Sequence, residues 1–359
     1  MSEENIKANP APAPAPAPAP TTAPVNAAPQ GTKLGDAELR EANEVITKLV
    51  NSYHKKVVGQ DELCLAMTVA LLTSGHVLLE SVPGLAKTLS AKTLASAAGG
   101  TFSRVQCTPD LLPSDIIGTQ IYNINKGTFE TKIGPVHANF VLLDEINRSS
   151  AKTQSAMLEA MQEHQVSLGG VTYKMPEPFI VLATQNPIEQ EGTYELPEAQ
   201  LDRFLLKIVI DYPTRAEELQ VLDYTLRGAT TSELSDSDKC SLSSIAKIQS
   251  YVNRVAVDDS IRNYIVNIVA ASRNPREFID ESLARYIEYG VSPRGAIALV
   301  KVAQALALIN GRAYVTPDDV KQLRYAVLRH RVILNFEAVA DNIHPEAIID
   351  AIFTRIQTP

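Results

Sequence analysis

Cysteine is scarce in this chain. Its three residues, Cys64, Cys107 and Cys240, lie far apart with no CxxC spacing. That excludes a disulfide framework and a thiolate zinc site, and a reducing cytoplasm is the expected setting. The histidines (His54, His76, His137, His164, His330 and His344) show no ligand spacing and read as structural or surface residues. No uninterrupted apolar run reaches the ~18 residues that a membrane span needs. The nearest approach, 295–309, carries Lys301 and Gln304 and reads as a buried helix. Basic charge is not in excess either: 33 Lys and Arg face 41 Asp and Glu, a net −8. This argues against a protein that binds nucleic acid by neutralising phosphates. Glu3 and Glu4, with no apolar stretch after them, exclude a signal peptide at the start.

Proline is ordinary in the body but concentrated at the front, where eight of its 22 residues fall within the first 30. Alternating proline over 9–20 removes half the amide donors and fixes φ at every second residue, so polyproline II is expected. Residues 1–33 therefore read as a disordered Ala/Pro-rich spacer. Its charged residues Glu3, Glu4, Lys7 and Lys33 cancel, which assigns the whole negative balance to the body. The 45% apolar content suffices for real cores there, and the length of 359 suggests two domains.

After two apolar helices (36–51, and one ending at Leu72), short apolar runs alternate with loops and helical segments. HVLLE (76–80), FSRVQ (102–106), FVLLDE (140–145), FIVLAT (179–184) and FLLKIVI (204–210) are five strand candidates. Strands apolar on consecutive positions and separated by helices predict a parallel α/β sheet. Residues 119–133 and 165–175 alternate around Asn125-Lys126-Gly127 and Gly169-Gly170, which predicts two β-hairpin inserts. Beyond Tyr212-Pro213 the pattern becomes helical over 215–227, 242–256, 260–273, 281–289, 293–309 and 317–329. The expected boundaries are an α/β domain over 34–213 and an all-α domain over 214–359. Ser260 and Thr316-Pro317 with Asp319 are expected helix starts.

The first strand runs into Ser81-Val82-Pro83-Gly84-Leu85-Ala86-Lys87-Thr88-Leu89. Lys87 and Thr88 match the end of the phosphate-loop template GxxxxGK[ST], although Ser81 and Ala86 replace its glycines. By itself this also fits a lysine on the first turn of an amphipathic helix. The run Phe140–Glu145 supplies a second element, ending in Asp144 and Glu145 at the end of a strand where α/β sheets bind ligands. Asp144 with Thr88 is expected to hold Mg²⁺, and Glu145 to polarise an attacking water. The plainer alternative is an acidic end to a buried strand.

Together, VPGLAKT (82–88), LLDEINR (142–148), LEAMQE (158–163), ATQNPIEQEGTYELPEAQLDRF (183–204) and SPRG (292–295) resemble the MoxR branch of the AAA+ ATPases. The resemblance covers about 36–335. It implies a P-loop α/β module followed by an all-α lid, Mg-dependent ATP hydrolysis, a homohexamer, and chaperone-like work on a client protein, with a von Willebrand A-domain protein as a candidate. It also assigns roles. Asn186 becomes the polar residue that holds the attacking water, beside the plainer reading of an Asn-Pro turn. Arg203 becomes an arginine finger reaching the neighbouring subunit's γ-phosphate, beside a surface pair with Asp202, and Arg148 is a second interface candidate. Arg294 becomes a lid arginine closing on phosphates of its own chain. Val58 and Gly59 line the adenine pocket. The hairpins face the pore or the client. Ser81 departs from the usual glycine, which keeps a non-hydrolysing nucleotide-gated scaffold as an alternative. A DNA-remodelling motor is the less favoured one, given the acidic balance.

Overall fold

The computed structural model describes residues 34–187, 193–228 and 233–359. The Ala/Pro segment and residues 188–192 of the 183–204 stretch lie outside the described residues.

All five strand candidates form strands of one parallel sheet: β1 (Val77–Ser81), β2 (Phe102–Gln106), β3 (Phe140–Asp144), β4 (Ile180–Gln185) and β5 (Leu206–Ile210). Their order across the sheet is β2-β3-β4-β1-β5. The register sets Gln106 opposite Asp144, Leu143 opposite Ala183 and Glu80 opposite Gln185, so the strands close at one common edge. Successive side chains point to opposite faces. Leu79, Leu142 and Leu182 pack with the helices Asp36–His54, Asp61–Thr73 and Lys87–Ala97, whereas Leu78, Leu143 and Ala183 pack with the helix Ala151–Glu163. Burial on both faces explains why the strands read as continuous apolar runs.

The first of these cores continues without interruption into the helical region, through Ile248, Ile265, Leu299 and Ile349. Residues 33–359 accordingly form one compact unit. Its central helix, Pro293–Ile309, is started by Ser292, whose hydroxyl accepts from the Arg294 amide, with proline at the first helical position. Thr316 and Asp319 form the expected capping box. At the helix Asp259–Arg273 the cap is Asp258, whose carboxylate accepts from the Ser260 amide, so Ser260 is not the cap.

The helical region also holds a small antiparallel ribbon, Ile287–Tyr289 with Ile333–Leu334. The helix expected over 281–289 stops at Ala284 because the carbonyls of Arg285 and Tyr286 are taken by Asn335 instead. Similarly, 317–329 divides into Pro317–Gln322 and Arg324–Leu328 at Leu323, where φ is −111° and ψ 26°. Both predicted hairpins are present, as Gly118–Asn123 with Thr128–Ile133 and Gln165–Leu168 with Val171–Lys174.

Candidate functional site

The loop from Ser81 to Thr88 leaves the closing end of β1 and enters the helix Lys87–Ala97. Ser81 is the last strand residue, buried, with an ordinary negative φ, so this position needs no glycine. Gly84 does: its φ is +88°. Ala86 holds the turn into the helix at φ 51°, ψ 17°, a left-handed conformation that is unfavourable for any residue with a Cβ. Among the described residues no side chain caps the helix, which leaves its first amides without a side-chain acceptor. The Lys87 ammonium donates only long contacts, 3.3 Å to the Ser81 carbonyl and 3.4 Å to that of Val82. Partial burial pulls its pKa down, opposed by the charges of Asp144 and Glu145.

Those two carboxylates stand at the same edge, at the end of β3. Asp144 accepts from Arg104 (Nη2 2.6 Å, Nε 3.2 Å) and from the Thr184 hydroxyl at 2.8 Å. Thr184, buried on β4, in turn accepts the Glu145 amide at 2.8 Å. Glu145 itself is left-handed, with φ 58° and ψ 53°. Such a conformation costs about 1–3 kcal/mol and concentrates at functional sites. Gln106 at 3.1 Å and Arg148 at 3.3 Å hold its carboxylate. Asn186, one residue beyond β4, is buried at this edge. The structure therefore brings together Ser81, Val82, Pro83, Gly84, Leu85, Ala86, Lys87, Thr88, Leu89, Asp144, Glu145, Arg148 and Asn186. Arg104, Gln106 and Thr184 join them without having been singled out in the sequence. Asp144 and Thr88 offer only oxygen donors, which suits a hard cation such as Mg²⁺.

Gly59 sits close to the helix Arg215–Leu226. Its φ of +63° would strain any residue with a Cβ, and the end of the Glu217 side chain would have to shift to admit one.

Arg203 and Arg294 lie elsewhere. They line a cavity of about 280 Å³ with Lys301, Arg331, Asp202 and His164, beside Gly75 and His76, at the opening end of β1. Five strand residues at ~3.3 Å each, about 16 Å, separate this cleft from the phosphate loop. The reason is visible in the packing. The Ser292 hydroxyl donates to Asp202 at 2.8 Å, and Arg331 bonds the other Asp202 oxygen at 2.8 Å, which anchors the start of the Arg294 helix beside the Arg203 turn. Arg294 thus stands beside Arg203, at the end of β1 away from the phosphate loop of its own chain. Among the described residues, Arg203, Arg294 and Lys301 have no ion-pair partner, while Asp202 is already neutralised by Arg331. The cleft carries a net positive charge.

His76, next to it, is structural. Its Nδ1 accepts the Val181 amide and its Nε2 donates to the Met161 carbonyl, both at 3.0 Å, and burial lowers its pKa to about 4. On the hairpins, Ile121, Tyr122, Ile124 and Phe129 are exposed, and the Tyr173 hydroxyl joins the two inserts through Thr131. Among the described residues no helix is long and apolar enough to cross a membrane.

Comparison with known proteins agrees with the fold. Residues 76–206 match the ATPase family associated with various cellular activities (AAA), and residues 280–352 match the AAA lid domain. The chain is 46% identical to Chaperone MoxR1 of Mycobacterium tuberculosis over 341 residues, 94% of this chain and 88% of that protein. It is 33% identical to Protein MoxR of Paracoccus denitrificans, over 84% of this chain and 93% of that one. A crystal structure of a candidate ATPase from Cytophaga hutchinsonii superposes with a TM-score of 0.84 at 46% identity, covering 90% of this chain and 98% of the other.

Proposed function

Because this chain belongs to the MoxR family of AAA+ ATPases, we propose that it hydrolyses ATP at the closing edge of its sheet and completes that site with the cationic cleft of a neighbouring subunit. The observation that carries the reading is the placement of the charges. One end of β1 gathers a lysine whose hydrogen bonds are long and two carboxylates; the other gathers three cations with no ion-pair partner among the described residues. Neither end is a complete phosphoryl-transfer site, and a head-to-tail ring joins one to the other. The family resemblance implies a homohexamer for that ring.

In this reading the amides after Gly84 and the Lys87 ammonium hold the β- and γ-phosphates, with Val58 and Gly59 at the base. Asp144 and Thr88 would hold Mg²⁺, which supplies charge neutralisation on the phosphates. Glu145, held by Gln106, Arg148 and Thr184, polarises the attacking water, and Asn186 orients it. Arg203 and Arg294 enter from the neighbour to stabilise charge developing on the γ-phosphate. Ser81, conformationally ordinary, gives no ground for a non-hydrolysing scaffold. The exposed apolar hairpins are the surface we assign to a client protein, for which a von Willebrand A-domain protein is a candidate.

The domain boundary near Pro213 belongs to the same proposal, since the helix beginning at Arg215 carries the Glu217 contact to Gly59. Phosphate release from ATP by the purified chain, with and without Mg²⁺, tests the reading. Turnover that needs Mg²⁺ and vanishes in Lys87→Ala supports it; ATP bound without any turnover would return the scaffold.

A further inference from the structure

We propose that Arg331, which lies outside every motif above, is the positioning residue that sets Arg203 and Arg294 at their working separation; this rests on the shared-site reading. The Arg331 side chain is 3% exposed, and most of its hydrogen bonds go to the turn before β5. Nε donates to the Asp202 carboxylate at 2.8 Å, Nη2 to the Asp202 and Phe204 carbonyls at 3.3 and 2.6 Å, and Nη1 to the Leu205 carbonyl at 3.2 Å and to the Val327 carbonyl. Four of these five acceptors are main-chain carbonyls, so the guanidinium fixes a backbone shape more than it balances a charge. Its planar fork is what allows this; an ammonium has three donors radiating from a point.

Two further contacts extend the clamp to Arg294. The second oxygen of Asp202 accepts the Ser292 hydroxyl at 2.8 Å, and that same hydroxyl accepts the Arg294 amide at 3.1 Å. Gly295 clears the approach, since a Cβ there would lie 3.1 Å from Arg331 Cδ and 2.2 Å from Val291 Cγ1. His330 adds a bond from Nε2 to the Phe204 carbonyl at 3.1 Å. Arg203, by contrast, has a buried Nε with no hydrogen-bond partner among the described residues. Its direction comes from the turn that carries it, and the turn is held by Arg331.

The test uses the full chain and four variants: Arg331→Lys, Asp202→Asn, Arg203→Ala and Lys87→Ala. Arg331→Lys should lower kcat about 10²-fold, the cost of an ångström-scale misplacement, with affinity for a fluorescent ADP analogue changed less than about twofold. Equimolar mixing of Arg331→Lys with Lys87→Ala subunits should restore turnover, because the first retains an intact phosphate loop and the second an intact cleft. Mixing Arg331→Lys with Arg203→Ala should not. Asp202→Asn should repeat both results if the clamp is real. Unchanged kcat in Arg331→Lys overturns the proposal. So does failure of the Arg331→Lys and Lys87→Ala mixture while Arg203→Ala with Lys87→Ala recovers, since the defect then spans the whole subunit. If that control pair also stays silent, the shared site itself is wrong and the clamp falls with it.

Discussion

Two exposed residues of the phosphate loop, two positions apart, should respond to substitution with opposite signs. Ala86 is left-handed at φ 51°, and Gly84 is left-handed at φ 88° with no atom within 4 Å of where a Cβ would stand. A left-handed residue bearing a Cβ costs about 1–2 kcal/mol. Replacing alanine by glycine also loosens the unfolded chain, which takes back about 0.4–1 kcal/mol. Ala86→Gly should therefore leave stability unchanged or raise it by up to about 1.5 kcal/mol. Gly84→Ala imports the strain without a clash and should lower stability by up to about the same amount. Denaturant unfolding of both variants beside the parent measures the pair, and neither change removes a charged group from the site. A loss of more than about 1 kcal/mol in Ala86→Gly would refute the reasoning, because its methyl would then be supporting the loop and not straining it.

Glu145→Gln should bind ATP normally and lose about 10²–10⁴-fold in the hydrolysis rate, read by single-turnover phosphate release; equal turnover excludes Glu145 as the water-polarising group. His76 is pushed down to about 4 by burial, against an unfolded value near 6.5, so the unfolded chain takes up a proton that the folded one refuses. Stability should therefore fall as pH drops from about 6.5 to about 4, by roughly 3 kcal/mol from this group, and His76→Gln should flatten that slope in denaturant titrations. Burial alone would raise the Asp319 carboxyl, yet the bonds from Arg312 and the Thr316 amide and hydroxyl outweigh it and hold the group below its ordinary range. Its contribution is thus complete above that ordinary range and is lost as pH falls through the depressed folded value. Asp319→Asn should cost about 2–3 kcal/mol at neutral pH, with Arg312 still partly hydrated, and should blunt acid unfolding of the helical region.

The sheet was legible because strands buried on both faces leave continuous apolar runs, and the loop after β1 stood out because its closing lysine and threonine fit a known template. The helical region was legible where a cap marks a helix start, as at Thr316 and Asp319. It failed at 281–289, where the decisive partner is Asn335, some fifty residues on, and no local window contains it. Thr184 escaped notice as one residue in an apolar run, although it ties both carboxylates to β4. Arg294 was singled out, but its place beside Arg203 was not foreseen. Its motif marks a helix start, whereas its address depends on Asp202 and Arg331 meeting across more than a hundred residues of chain. Single side chains that collect distant carbonyls leave no periodic trace, and Arg331 is the clearest case.

The central claim is that each active site is shared between two subunits. Mixing Arg203→Ala with Lys87→Ala subunits in equal amounts and measuring phosphate release tests it most directly. Each variant alone should be nearly inactive, while in a random mixture about one quarter of interfaces join an intact loop to an intact cleft and turnover should return in that proportion. A mixture no more active than its components would contradict the account.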